Sequence, residues 1–150
     1  MITITIYGLD QFVVGRLSRE LTPLVAKLYE VDEDEVNFIG PNAMVFHKGV
    51  EQTSWNILIE VSAPLKVAVL QEQMSDLMLN GIGDVAINKT IIFKYYSQDS
   101  RVQKLNGAYP RYISEENLVD IEEDEYEERE EGEGEDDIFT GDIFKDFTGK

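Results

Sequence analysis

The sequence predicts an α+β domain over residues 1–110, of element order βαββαβ, followed by an acidic tail over residues 111–150. Three observations predict it. Runs of β-branched residues alternate with polar ones at a period of two, longer segments repeat apolar residues at spacings of three and four, and the charge is concentrated at one end. Residues 114–150 carry 17 acidic and 3 basic side chains, net −14 of the chain's −17, so the first 113 residues are close to neutral. At 150 residues the chain suffices for one core and an appendage.

The first strand is Ile2, Ile4 and Ile6 alternating with Thr3, Thr5 and Tyr7, ended by Gly8. Asp10 can cap the helix that follows, where Val14, Leu17, Leu21, Val25 and Leu28 mark one face as far as about Glu30. Pro23 falls inside it, at a cost of about 3 kcal/mol in a regular interior, and predicts a kink or a restart with Thr22 as cap. After the acidic turn Asp32 to Glu35, residues 36–39 read as a short strand ended by Gly40 and Pro41, and residues 44–47 as a second extended piece before a turn at Gly49. Trp55, Ile57, Ile59 and Val61 alternate with polar neighbours in a strand over 54–62, with Ser62 as its stop. Pro64 suits the first turn of a second helix through Val67, Leu70, Met74, Leu77 and Met78, with Gly81 just past its end, and residues 90–96 close the domain as the last main strand. Each half is thus a βαβ unit with parallel strands and a right-handed crossover, giving a four-stranded sheet with both helices on one face. A ferredoxin-like ligand-binding or regulatory module, a further functional alternative, has the same element order, and pattern alone does not separate the two architectures.

Composition excludes several classes of chemistry. Without cysteine there is no disulfide framework, thiolate nucleophile or zinc–thiolate site, which agrees with a reducing compartment. The start MITITIYGLD lacks the features of a signal peptide, and no stretch approaches the ~20 apolar residues of a membrane span. The expectation is therefore a cytoplasmic protein that binds neither membrane nor nucleic acid, since a strongly negative chain repels phosphate. His47 is the one histidine, with no second histidine or cysteine at metal-ligand spacing, so it reads as an exposed loop residue and no metal is expected. Gly81 and Gly83 form GIG without the preceding strand of a dinucleotide fingerprint, Met74 and Met78 read as core, and no cofactor is expected.

Two short stretches carry a resemblance. GPNAMVFHKGVE, residues 40–51, resembles the segment after the second strand in the tautomerase superfamily of macrophage migration inhibitory factor, and TIIFKYYSQDSRVQKLNG, residues 90–107, resembles its final strand and C-terminal segment. The late LNGAYP resembles small uncharacterised bacterial members of that superfamily. The resemblance covers about the first 108 residues and implies the βαββαβ tautomerase-like sheet assembled as a homotrimer, with sheet edges covered by neighbouring subunits. In the family's enzymes an N-terminal proline, its amine kept neutral by an apolar pocket, is the general base. This sequence has Ile2 there, a residue bulky enough to keep Met1 in place. Val31 stands where macrophage migration inhibitory factor has a lysine, and Ile92 and Lys94 where it has a tyrosine and an asparagine. The resemblance therefore implies a domain without proline-dependent tautomerase activity, acting as an oligomeric binding module. The alternative is a divergent enzyme using the Met1 amine or Lys94, and the pocket candidates are Met1, Ile2 and Lys94. Lys94 is either a solvated strand lysine or a desolvated base.

In the tail, residues 115–137 are too charged to bury a core and predict disorder. Phe139, Phe144 and Phe147 then recur in DIFTG, DIFK and DFTGK, a pattern of apolar anchors behind an acidic spacer that suits docking to a partner protein. A tail without a partner explains the same composition. The run lacks the ligand spacing of a calcium loop.

Overall fold

Ile2, Ile4 and Ile6 turn one way from the first strand and set the core against which everything else packs. In the computed structural model, which describes residues 1–114, the first strand is β1 (Ile2–Tyr7), with those three side chains buried. The expectations placed on the acidic run and on Phe139, Phe144 and Phe147 lie outside the described residues. Gly8 closes β1 at φ +82°, where a Cβ would stand 2.9 Å from the Asn56 carbonyl oxygen, so glycine answers both the dihedral and the close approach.

Helix α1 (Gln11–Tyr29) is capped as expected, the Asp10 carboxylate accepting the Phe12 N–H at 2.8 Å. It buries Val14, Leu17, Leu21, Val25 and also Tyr29. It runs through Pro23 as one helix, not a restart capped by Thr22. Pro23 is exposed, so the missing N–H withdraws a bond on the solvent side without opening the buried face. A 3₁₀ turn at Glu33–Glu35 leads into β2 (Val36–Ile39). The extended piece near Met44 is half of a small hairpin, β3 (Phe46–His47) against β4 (Val50–Glu51), turned at Gly49.

Strand β5 (Asn56–Pro64) continues two residues beyond the expected stop at Ser62. The residue before a proline is pushed out of the helical region, which keeps Ala63 extended, and Pro64 itself has ψ 141°. The second helix therefore does not begin at Pro64. A 3₁₀ stretch Leu65–Leu70 intervenes before α2 (Gln71–Ile82). Gly81 lies within α2, not after it: a Cβ there would be 2.4 Å from Leu21 Cδ2, so glycine lets the two helices approach, and Gly83, at φ +52°, is the C-cap. Strand β6 (Asn88–Tyr96) completes the sheet.

The sheet order is β2-β1-β5-β6, with β1 parallel to β2, β5 parallel to β6 and β1 antiparallel to β5. Each βαβ unit keeps its two strands adjacent. A ferredoxin-like split unit would separate them, so that alternative is excluded. Ile4 faces Val61 and Ile6 faces Ile59 across the central pair, under α1 and under Met74, Met78 and Ile82 of α2, all fully or nearly fully buried. Each such side chain contributes about 1.5–3 kcal/mol by leaving water. Thr3, Thr5, Tyr7, Leu58, Glu60, Thr90, Ile92 and Lys94 occupy the opposite face, which no described element covers. Among the described residues, no helix is long and apolar enough to cross a membrane.

Candidate functional site

The registers bring four strand ends into one row. Ile2 pairs with Val36, which sets Met1 beside Glu35; Thr3 pairs with Ser62, which sets Met1 level with Pro64; and Pro64 pairs with Tyr96. Glu35, Met1, Pro64 and Tyr96 thus lie side by side although they are separated by up to 95 positions in sequence. At this end of the sheet a cavity of about 240 Å3 opens. Ile2, Val31, Pro64 and Val67 supply apolar walls; the Met1 amine, Lys66 and Arg101 supply positive charge; Glu35, Tyr96 and Gln98 complete it. The lining sets three cationic groups against one carboxylate, in a chain that is otherwise strongly acidic.

Glu35 organises the row. Its Oε2 lies 2.5 Å from the Met1 amine and 3.4 Å from Arg101, and its Oε1 accepts from Arg111 at 2.9 Å. The hydrogen bond from the amine, then that from Arg111, and the charge of Arg101 hold its carboxyl down to about 2, against the opposing effect of burial. Met1 is fixed further by the Tyr96 hydroxyl, which donates to its carbonyl at 2.5 Å, and its sulfur lies 3.4 Å from the Asn37 amide nitrogen. The Tyr112 hydroxyl donates to the Asp34 carbonyl at 3.3 Å.

The structure brings Met1, Ile2 and Val31 together at the cavity but places Ile92 and Lys94 elsewhere. Lys94 points to the uncovered sheet face, its ammonium 2.7 Å from Glu60 Oε1, and Glu60 also accepts the Tyr7 hydroxyl at 3.3 Å. Because Glu60 pairs with Thr5, this salt bridge draws Lys94 away from the row, and it pushes the lysine's pKa up, the direction that keeps it charged. The tyrosine and the carboxamide that do line the cavity are Tyr96 and Gln98, each four positions beyond Ile92 and Lys94. His47 is exposed on the hairpin. Among the described residues, no group of three or more histidine, cysteine, aspartate or glutamate side chains could hold a metal ion.

Sequence reasoning missed Glu35, Lys66, Tyr96, Gln98, Arg101 and Arg111. Glu35 was visible only as the last member of an acidic turn, and Arg101 only as part of the stretch that carries the resemblance.

This combination, two adjacent βαβ units in one four-stranded mixed sheet with two helices packed on it, is the tautomerase-like fold of macrophage migration inhibitory factor. The domain of unknown function DUF1904 from Sebaldella termitidis superposes with a TM-score of 0.62 at 17% identity, covering 69% of this chain and 95% of its own. A protein of unknown function from Vibrio cholerae gives 0.59 at 13%, covering 68% and 83%. The macrophage migration inhibitory factor-like protein of Entamoeba histolytica gives 0.53 at 12%, covering 69% and 93%. At these identities the likeness is one of fold. No protein-family model matches the chain, and no curated protein matches it.

Proposed function

We propose that this chain is a tautomerase-fold binding module without proline-dependent tautomerase activity, assembled as a homotrimer, whose cavity beside Met1 receives a small molecule with an apolar body and an anionic group. The observation that carries the reading is the chemistry of position 2. Ile2 is 1% exposed, offers no titratable group, and the amine in front of it is engaged by Glu35 instead of standing free as a base. Three cations around an apolar wall favour an anion with a hydrophobic portion. Assembly is supported by β6, a nine-residue edge strand with no partner on its outer side among the described residues, and by the exposed Met44, Phe46, Val50 and Trp55 on and beside the hairpin.

The test is a screen of the full chain against keto–enol substrates such as phenylpyruvate, with Lys94→Ala as control, alongside sedimentation at micromolar concentrations. No turnover and a trimer mass are expected. Turnover that depends on Lys94 or on a free Met1 amine would favour the divergent-enzyme reading, and a monomer would remove the assembly.

A further inference from the structure

One carboxylate fastens both ends of an exposed loop. Arg101 and Arg111 flank residues 102–110, and both guanidinium groups converge on Glu35, at 3.4 Å and 2.9 Å. Between them the chain is exposed, with Val102 97% and Tyr109 72% accessible, and it forms no helix or strand. The chain passes from Tyr96, at the β6 end of the row of strand ends, to Arg101, on Glu35 at the β2 end, and residues 102–110 then leave from and return to the same carboxylate. Its first part, Gln98 and Arg101, is itself a wall of the Met1 cavity. The two arginines are unequal: the Arg101 contact is longer and its side chain is 27% exposed against 15% for Arg111.

We propose that residues 98–112 are a gated strap pinned by Glu35: while the carboxylate holds both arginines the strap closes one side of the Met1 cavity, and when the pin is lost it swings out and the cavity opens. Arg101 is the end that lets go first, because its contact is the looser and it faces the cavity. Arg111, the less exposed of the two, is the anchor. Any anion that draws Arg101 off Glu35 loosens the same end. The Tyr112 bond to the Asp34 carbonyl lies beyond Arg111 and keeps that end in place, whereas the part between Arg101 and Arg111 is held at its two ends by one group and opens as a unit when that group is removed, well below the free energy of global unfolding. The cavity's being a ligand site is the reading given above, and only the gating half of the proposal leans on it.

Hydrogen exchange of the full chain, measured without ligand, tests the pin. In Glu35→Gln the hydrogen-bonded amides of the strap, those of Ser100, Arg101, Ala108 and Tyr109, should exchange roughly tenfold faster or more than in the parent chain, while those of β1 and β5 change by less than about twofold. Glu33→Gln, which removes an exposed charge from the same turn, should leave the strap unchanged. Equal exchange in the Glu35 and Glu33 variants overturns the proposal. If Glu35→Gln loosens the whole domain, the double change Arg101→Gln with Arg111→Gln leaves Glu35 its bond to the amine and must free the strap alone; failure to do so overturns the pin equally. Access is read separately. The chain has no cysteine, so Val31→Cys places a single thiol in the cavity wall, and its alkylation by N-ethylmaleimide, compared per thiolate from the pH dependence, should be several-fold faster when either pin is removed. Faster strap exchange with unchanged alkylation overturns the gate. Failure of ligand binding with both readouts positive overturns the ligand reading and leaves the strap standing.

Discussion

Glu35 and Glu60 are both part-buried glutamates held in salt bridges, yet they do different things for the molecule. Glu60 meets Lys94 and Tyr7, which stand on the strands next to its own, and the backbone ladder already fixes all three in register. Its ion pair adds little that the sheet does not provide. Glu35 meets Arg101 and Arg111 from a segment that makes no ladder, so the carboxylate supplies the closure that hydrogen-bonded strands supply elsewhere. An ion pair matters here according to what else holds its partners together, not according to its distance.

The largest effect that could break this comparison is the loss of the Glu35 charge. Glu35→Gln should destabilise the full chain by about 2–3 kcal/mol in urea denaturation, since it leaves Arg111, mostly buried, facing a neutral amide. A change smaller than that of an ordinary surface substitution would make Glu35 no different from Glu60. Next in size is the pH dependence. The folded carboxyl lies near 2, below its unfolded value of about 4.5, so its contribution is complete above about pH 4.5 and is lost as pH falls toward 2. The full shift corresponds to about 3 kcal/mol, and with 31% of the side chain exposed solvent screening leaves roughly 1–2 kcal/mol. Subtracting the Glu35→Gln stability profile from that of the parent should show this loss over that window and nothing comparable above it.

A smaller effect sharpens the contrast from the other side. The Tyr29 hydroxyl is buried without a hydrogen-bond partner among the described residues, and burial pushes its pKa up to about 12. Tyr29→Phe should therefore be neutral or stabilise by up to about 1 kcal/mol in the same denaturation assay. A clear loss would mean that the hydroxyl is satisfied. Smallest of all, Lys94→Ala should leave the urea midpoint where it was, because the ladder holds β5 and β6 together without it. A marked shift would show that Glu60 needs its partner as much as Glu35 does.

The difference between the two carboxylates also explains what could be read from the sequence. Strand β1 and the buried face of α1 follow from spacing, because Ile2, Ile4 and Ile6, and Val14, Leu17, Leu21 and Val25, each need only their own element's period. The α+β fold and its two parallel units followed from those periods, and the resemblance selected the tautomerase-like arrangement that the strand order bears out. Local chemistry with two uses misled: Pro64 serves a strand end as well as a helix start, and Gly81 serves helix contact as well as a helix stop. At the candidate site Met1, Ile2 and Val31 were legible through the resemblance. The charged partners were not. Glu35, Arg101 and Arg111 become neighbours only through the register of four strands, and in sequence Glu35 is one acid among several in its turn.

The row of strand ends has a consequence for how the chain acquires its structure. Strand β1 sits in the middle of the sheet but precedes every partner, and its contacts at the row, Tyr96 to Met1 and Arg111 to Glu35, span 95 and 76 positions. Such contacts close late, after β5 and β6 have docked, because long loops must be ordered before they reward the chain. The fastener is thus expected to close last, on the native side of the folding barrier. Stopped-flow measurements on Glu35→Gln should accordingly show refolding at the parent rate and faster unfolding, so that this one carboxylate governs how long the native state lasts and not how quickly it forms.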